Sequence, residues 1–168
     1  NMQHKHIITS LPLLASILGR KYGVEVRIGG DSAYTNGNII QLPGLPLECD
    51  ATLIGLLRGY IDHESAHIRH TDFTVLKRAN LSDLEKHIWN ILEDWRVENA
   101  LARLYPGCRQ NFIWLIRHFF LDEQNEENKS LVQPAEDIMS WLLVTVRMWD
   151  EPQLAVKQQR LQVRIDTN

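Results

Sequence analysis

Two histidines and a glutamate stand at a spacing that can do chemistry: His63-Glu64-Ser65-Ala66-His67. On a helix, side chains four positions apart lie one turn above each other, so both imidazoles can reach a single ion. Zinc takes such nitrogen ligands at about 2.0–2.1 Å in a tetrahedral arrangement, and a catalytic site leaves one of the positions open. Glu64, beside His63, borders that open position. The chemistry implied is metal-assisted hydrolysis. The ion acidifies a water and polarises a carbonyl, and the glutamate takes the proton and passes it to the leaving amine. His63 and His67 are therefore candidate Zn²⁺ ligands, and Glu64 is the candidate catalytic base of a peptidase acting on a peptide or protein substrate.

The same residue types on a solvated helix face would do none of this, so the surroundings decide. The preceding turns carry Leu53, Ile54, Leu56, Leu57, Tyr60 and Ile61, which predicts a helix buried on most sides. Buried His and Glu need partners, and a metal supplies them. The helix should run from about Cys49 to Arg69, with no breaker except Gly55 and Gly59, after Pro43, Gly44 and Pro46 interrupt the chain.

A third ligand must come from elsewhere, and the next helix is the natural donor. Ser82-Asp83-Leu84-Glu85 has the form of a capping box, and the pattern runs from Ser82 to about Leu104, where Pro106-Gly107 ends it. Ile88, Ile91, Leu92 and Trp95 mark its packed face. Glu93, Asp94 and Glu98 are the acidic candidates around that face. Glu93 lies 26 residues after His67 (93 − 67), which leaves room for a turn over His70 to Asn80 and an antiparallel return.

The remaining elements frame these two helices. Ser10 followed by Pro12 reads as a helix start, with Leu11, Leu14, Ile17 and Leu18 at helical spacing until Gly23. Val24 to Ile28 alternates as a strand. Ala33 to Thr35 and Ile39 to Leu42 flank Asn36-Gly37-Asn38 as a hairpin. Amphipathic helices follow near Arg109 to Leu121 and Ala135 to Trp149, with a polar loop from Asp122 to Lys129 between them. The tail from Pro152 is compatible with a helix or a short strand. No internal repeat or low-complexity segment appears.

With 168 residues, 44% of them hydrophobic, the chain suits one domain. A formal charge of −3 and no Lys/Arg-rich run argue against nucleic acid. No apolar run approaches the length of a membrane span. Two cysteines, Cys49 and Cys108, sit outside any metal-binding spacing and suggest neither a disulfide framework nor a thiolate site, which fits a reducing cytoplasm.

The run from Arg58 to Phe73 around the histidines, followed by Ile88-Trp89-Asn90-Ile91-Leu92-Glu93-Asp94-Trp95-Arg96-Val97-Glu98, resembles the N-terminal metallopeptidase-like region of bacterial proteins that carry a C-terminal von Willebrand factor A domain, related to the CobT-type cobalt chelatase subunit and to NorD-like proteins. More widely it is similar to the gluzincins and minigluzincins. The resemblance covers roughly residues 30 to 105. It implies an α+β, zincin-like fold: a small, mainly antiparallel sheet, an HExxH active helix, a glutamate helix and C-terminal helices. It also implies that this chain is the N-terminal part of a longer protein. Glu93 matches the glutamate of the family's block and becomes the expected third ligand, with Asp94 the second choice or a group orienting a ligand imidazole. The strands at Ala33 to Leu42 take the place of the edge that aligns a substrate. Chelatase relatives often lack an intact HExxH, so the resemblance carries a second expectation: a non-catalytic interaction module working with a von Willebrand factor A domain and an ATPase partner.

Other polar and aromatic residues have plainer readings. His70 suits the surface or a supporting place near the ligands, Asp72 a turn with Thr71 or a bond to a ligand imidazole, and His87 and His118 the surface or a satisfied interior position. Arg96 is expected to pair with Glu93 or Glu98 along the helix. Trp89, Trp95, Trp114, Trp141 and Trp149 are expected in the core.

Overall fold

A computed structural model describes residues 2–44, 51–122 and 134–167. The order of elements is α1 (Met2–Leu18), β1 (Glu25–Ile28), β2 (Tyr34–Thr35), β3 (Ile39–Leu42), α2 (Ala51–His70), α3 (Phe73–Ala79), α4 (Asp83–Leu104), α5 (Pro106–Phe120), α6 (Pro134–Met148), a 3-10 turn (Pro152–Leu154) and α7 (Ala155–Asp166). The class is α+β. No helix among the described residues is long and apolar enough to cross a membrane.

The sheet is mixed, which corrects the mainly antiparallel expectation. β1 pairs with β3 in parallel, from Glu25↔Ile39 to Ile28↔Leu42, and β2 pairs with β3 antiparallel through Tyr34↔Gln41 and Thr35↔Ile40. The hairpin is as expected, turned at Gly37 in the left-handed region (φ 93°) while Asn36 Oδ1 accepts from the amides of Asn38 and Ile39. The hairpin's second strand, not its first, docks against β1, so the order is β1-β3-β2 and β2 is left at the edge. Ile40 and Leu42 on the central strand are fully buried.

α2 runs through the middle. One side packs with Leu53, Leu57 and Ile61 onto Ile40 and Leu42 of the sheet and Leu11 and Ala15 of α1. On another side, Ala66 meets Val97 and Leu101 of α4 and Phe112 of α5. Gly55 and Gly59 are contact points rather than breaks: a Cβ on either would run into Trp114 or Leu115, so their bareness is what lets α5 come close. A third cluster, Ile116, Val144 and Leu154, ties α6 and the C-terminal turn to α5.

Several local readings change. α1 begins before Ser10 and carries Pro12 inside it; the Ser10 hydroxyl donates to Ile7 O instead of capping a new helix. The stretch expected as a turn holds α3, capped by Asp72, whose carboxylate accepts from the amides of Thr74 and Val75. α4 has its capping box at Ser82 and Glu85. Pro106 does not merely end α4; it is the first residue of α5, where a missing amide proton costs nothing. The tail is helical in α7. Of the expected loop, only Asp122 lies within the described residues. Trp149 is exposed and meets Trp95 edge-on, so it is not a core residue. Cys108 is buried, its thiol pushed up to about 12 by burial and the neighbouring Asp62, so it stays protonated.

Candidate metal centre

His63 and His67 sit side by side on α2 with their rings 4.9 Å apart. Both Nε2 atoms turn toward α4, where Asp94 Oδ1 lies 3.0 Å from His67 Nε2 and 3.8 Å from His63 Nε2. One donor atom from each of His63, His67 and Asp94 falls within 4.8 Å of the others. Ligand atoms about 2.0–2.1 Å from a tetrahedral ion stand about 3.4 Å from each other, so this cluster has the right scale for one.

Asp94 thus occupies the place expected of Glu93. The reason is the face that α4 presents. Its buried residues are Ile91, Glu93, Val97, Glu98, Leu101 and Ala102, with Asp94 half-buried; Leu92, expected on the packed face, is 43% exposed. Shifting the face past Leu92 turns Asp94 and Glu98 toward α2. Glu93 goes to the flank, where its carboxylate accepts from the Thr71 hydroxyl (2.9 Å) and from Arg96 (2.7 and 2.8 Å). Arg96 also donates to His70 O at 2.7 Å, tying α4 to the end of α2.

The outer nitrogens of the histidines are both engaged. His63 Nδ1 donates to Glu98 Oε1 at 2.7 Å. His67 Nδ1 lies 2.9 Å from the Thr71 hydroxyl. That hydroxyl has one proton, and it goes to Glu93, so the oxygen must accept from His67 Nδ1–H. A neutral His67 then carries a bare lone pair on Nε2, facing a carboxylate oxygen at 3.0 Å. Two lone pairs at that distance repel unless a proton or a cation lies between them. With Nδ1–H committed to Thr71, Nε2 is the nitrogen turned to the place a metal would take.

Charge points the same way. Arg96 neutralises Glu93, and Arg147 from α6 donates to Glu98 Oε2 at 2.6 Å. Arg147 is buried, lies 3.8 Å from Asp94 Oδ2, and was not singled out from the sequence. Glu64 has no arginine or lysine partner among the described residues and Asp94 has Arg147 only at 3.8 Å, which leaves negative charge beside the histidines for a cation. Burial works against a charged His63, but the bond to Glu98 and the charges of Asp94, Glu98 and Glu64 outweigh it and raise its pKa to about 9. Burial raises the Glu64 carboxyl, partly offset by the two histidines.

Glu64 is buried and lines two cavities that meet at the His63–Glu64 pair. One, of about 300 Å³, is walled by α5 and α6; the other, of about 330 Å³, is bounded by Ala33, Tyr34 and Thr35 of the edge strand, by His67 and Asp94, and by Phe73, Leu76 and Trp89. Among the described residues no further strand pairs with β2. The other singled-out residues stay apart: Asp72 caps α3, His87 is exposed, and His118 stacks on Trp114 at 4.9 Å.

The profile of a family described as "Cobalamin biosynthesis protein CobT" matches residues 11–153. The chain belongs to the CobT family. Every residue of the centre, from His63 and Glu64 through Asp94 and Glu98 to Arg147, lies within the CobT match. No curated protein and no solved structure matches the chain.

Proposed function

We propose that this CobT-family domain is a zincin-like, zinc-dependent metallopeptidase, with His63, His67 and Asp94 holding the ion and Glu64 as general base. The observation that carries the reading is the convergence of both Nε2 atoms on Asp94 Oδ1, with Glu64 beside them at the junction of two cavities. When bound, the ion would supply a Lewis acid and a positive charge at that junction. The chain's own residues do the rest. Glu98 and the Thr71–Glu93 pair keep the imidazoles oriented and protonated on their outer nitrogens. The edge of β2 holds an extended peptide by its main chain. Glu64 takes a proton from the attacking water and returns it to the departing amine nitrogen as the C–N bond breaks. An edge strand, an HExxH helix and a second helix giving the carboxylate together support the zincin-like description.

The test is metal content and peptide-library cleavage for four proteins purified without a chelator or a histidine tag. Wild type should hold about one zinc per chain and cleave. Glu64→Gln should keep the metal and lose cleavage, because an amide cannot accept the proton. Asp94→Ala should lose most of the metal, and Glu93→Ala should keep most of it. Undiminished cleavage by Glu64→Gln would sink the mechanism, and unchanged zinc in Asp94→Ala would sink the ligand set.

A second reading is favoured by one finding, the family's description as a cobalamin biosynthesis protein. The domain would then be a metal-stabilised interaction module working with a von Willebrand factor A domain and an ATPase partner. Two imidazoles and a carboxylate also accept Co²⁺, so the metal analysis should include it. Full metal occupancy with no cleavage of any library peptide would select this second reading.

A further inference from the structure

We propose that the cavity between the metal centre and helices α5 and α6 is a subsite for one large apolar side chain, aromatic or branched aliphatic, on the substrate residue next to the bond that is cut. This rests on the peptidase reading above. The cavity holds about 300 Å³, near the lower end for ligand pockets and suited to a single bulky group. Its walls are Tyr60 of α2, Phe112, Leu115, Ile116 and Phe119 of α5, and Leu143 of α6.

Three observations connect it to the centre. His63 and Glu64 line it and also line the second cavity, so its mouth is at the candidate catalytic base. Ala33, just before β2, lines both cavities, so a chain laid along that edge passes over the mouth. Side chains of an extended peptide alternate between two faces, so one of them can enter while its neighbours point away. Three of the polar groups in the lining are matched to one another: Glu98 is held by Arg147 at 2.6 Å and by His63 at 2.7 Å. A charged substrate side chain passing Glu64 at the mouth would lose its water against the apolar wall of Phe112, Leu115, Ile116 and Phe119, whereas an apolar one gains by leaving water. The second cavity, with Thr35, Asn90 and Asp94 in its lining, has no such bias.

Binding of small hydroxamates reads the subsite without turnover. The zinc-loaded full chain is titrated calorimetrically with the N-acetyl hydroxamates of phenylalanine and of glycine, which share the metal-binding group and differ only in the side chain. The phenylalanine compound should bind about ten- to a hundredfold more tightly, the usual worth of burying a benzyl group. Leu143→Trp, which fills the cavity, should erase that margin while zinc stays at about one per chain. Leu143→Ala should instead raise the affinity for a naphthylalanine hydroxamate, which keeps the proposal testable if the tryptophan variant fails to fold. Equal affinities of the phenylalanine and glycine compounds for wild type would overturn the subsite. Library cleavage with no preference for large apolar residues beside the cut would overturn it too, with the peptidase reading intact. The expected margin in a protein that cuts no peptide would support the apolar pocket and overturn the peptidase reading.

Discussion

His63 and His67 each send their outer N–H toward a carboxylate that an arginine holds, yet the two arms are built differently. The His63 arm is direct and buried: Nδ1 meets Glu98, and Glu98 meets Arg147, with the two side chains 5% and 10% exposed. The His67 arm is relayed through the Thr71 hydroxyl to Glu93, and its arginine, Arg96, is 51% exposed and comes from the same helix as Glu93. An ion pair out of water is costly to break, because the surviving charge is stranded; one at the surface is screened and contributes little. The inner arm should therefore be tied to stability as well as to metal binding, and the outer arm should only tune the ligand.

Glu98→Ala is expected to have the largest effect. It removes the acceptor of His63 and takes from the buried Arg147 its hydrogen-bonded carboxylate, leaving Asp94 at 3.8 Å. Stability should fall by about 3–5 kcal/mol, and zinc affinity by about ten- to a hundredfold. Chemical denaturation of the metal-free protein and a competitive zinc titration measure the two. A loss confined to metal binding would show that the inner arm is not structural.

Acidity should come next. With its pKa raised to about 9, His63 is protonated in the metal-free protein at neutral pH, and the ion must displace that proton. Apparent zinc affinity should climb about tenfold per pH unit from pH 6 toward 9 and then level off. The sign for folding is the opposite. A folded-state pKa above the ordinary 6.5 contributes stability that is fully present below pH 6.5 and is lost as the pH rises through about 9. Zinc titrations at several pH values, with denaturation of the metal-free protein alongside, check both signs. An affinity flat with pH would remove His63 from the ligand set.

Thr71→Val breaks the outer arm at its relay. It should reduce zinc affinity by about tenfold, at the low end for a group that orients a ligand, and it leaves the Glu93–Arg96 pair in place. Loss of metal as severe as in Glu98→Ala would mean that the two arms are equivalent. Arg96→Ala should do least, changing stability by no more than about 1 kcal/mol, since the ion pair it removes is half-exposed. Thermal unfolding with and without zinc reads this, and a larger loss would point to the Arg96 bond to His70 O as the real tie between α2 and α4.

Some of this was legible along the chain because it is local. The i, i+4 spacing put His63 and His67 on one face, and the capping box at Ser82 and Glu85 marked where α4 begins. The hairpin around Asn36-Gly37 was readable in the same way, since its turn is made by neighbouring residues. What was missed depends on partners distant in sequence. Asn36-Gly37 specifies that β2 and β3 turn back on each other, but not which of them docks on β1, so the parallel pairing could not be read.

By itself, then, the sequence determined the two-histidine pair, the adjacent Glu64, the helices that carry them and the supply of acidic residues on α4. The choice between Glu93 and Asp94 belonged to the tertiary structure. Neighbouring helix positions differ by only about 100° of rotation, and the docking of α4 against α2 and α5, through Val97, Leu101 and Ala102, decides which one faces the histidines. Arg147 was out of reach altogether. It sits among ordinary helical residues, 49 positions from Glu98, and it acquires a role only when α6 packs across α4 and buries its guanidinium against two carboxylates.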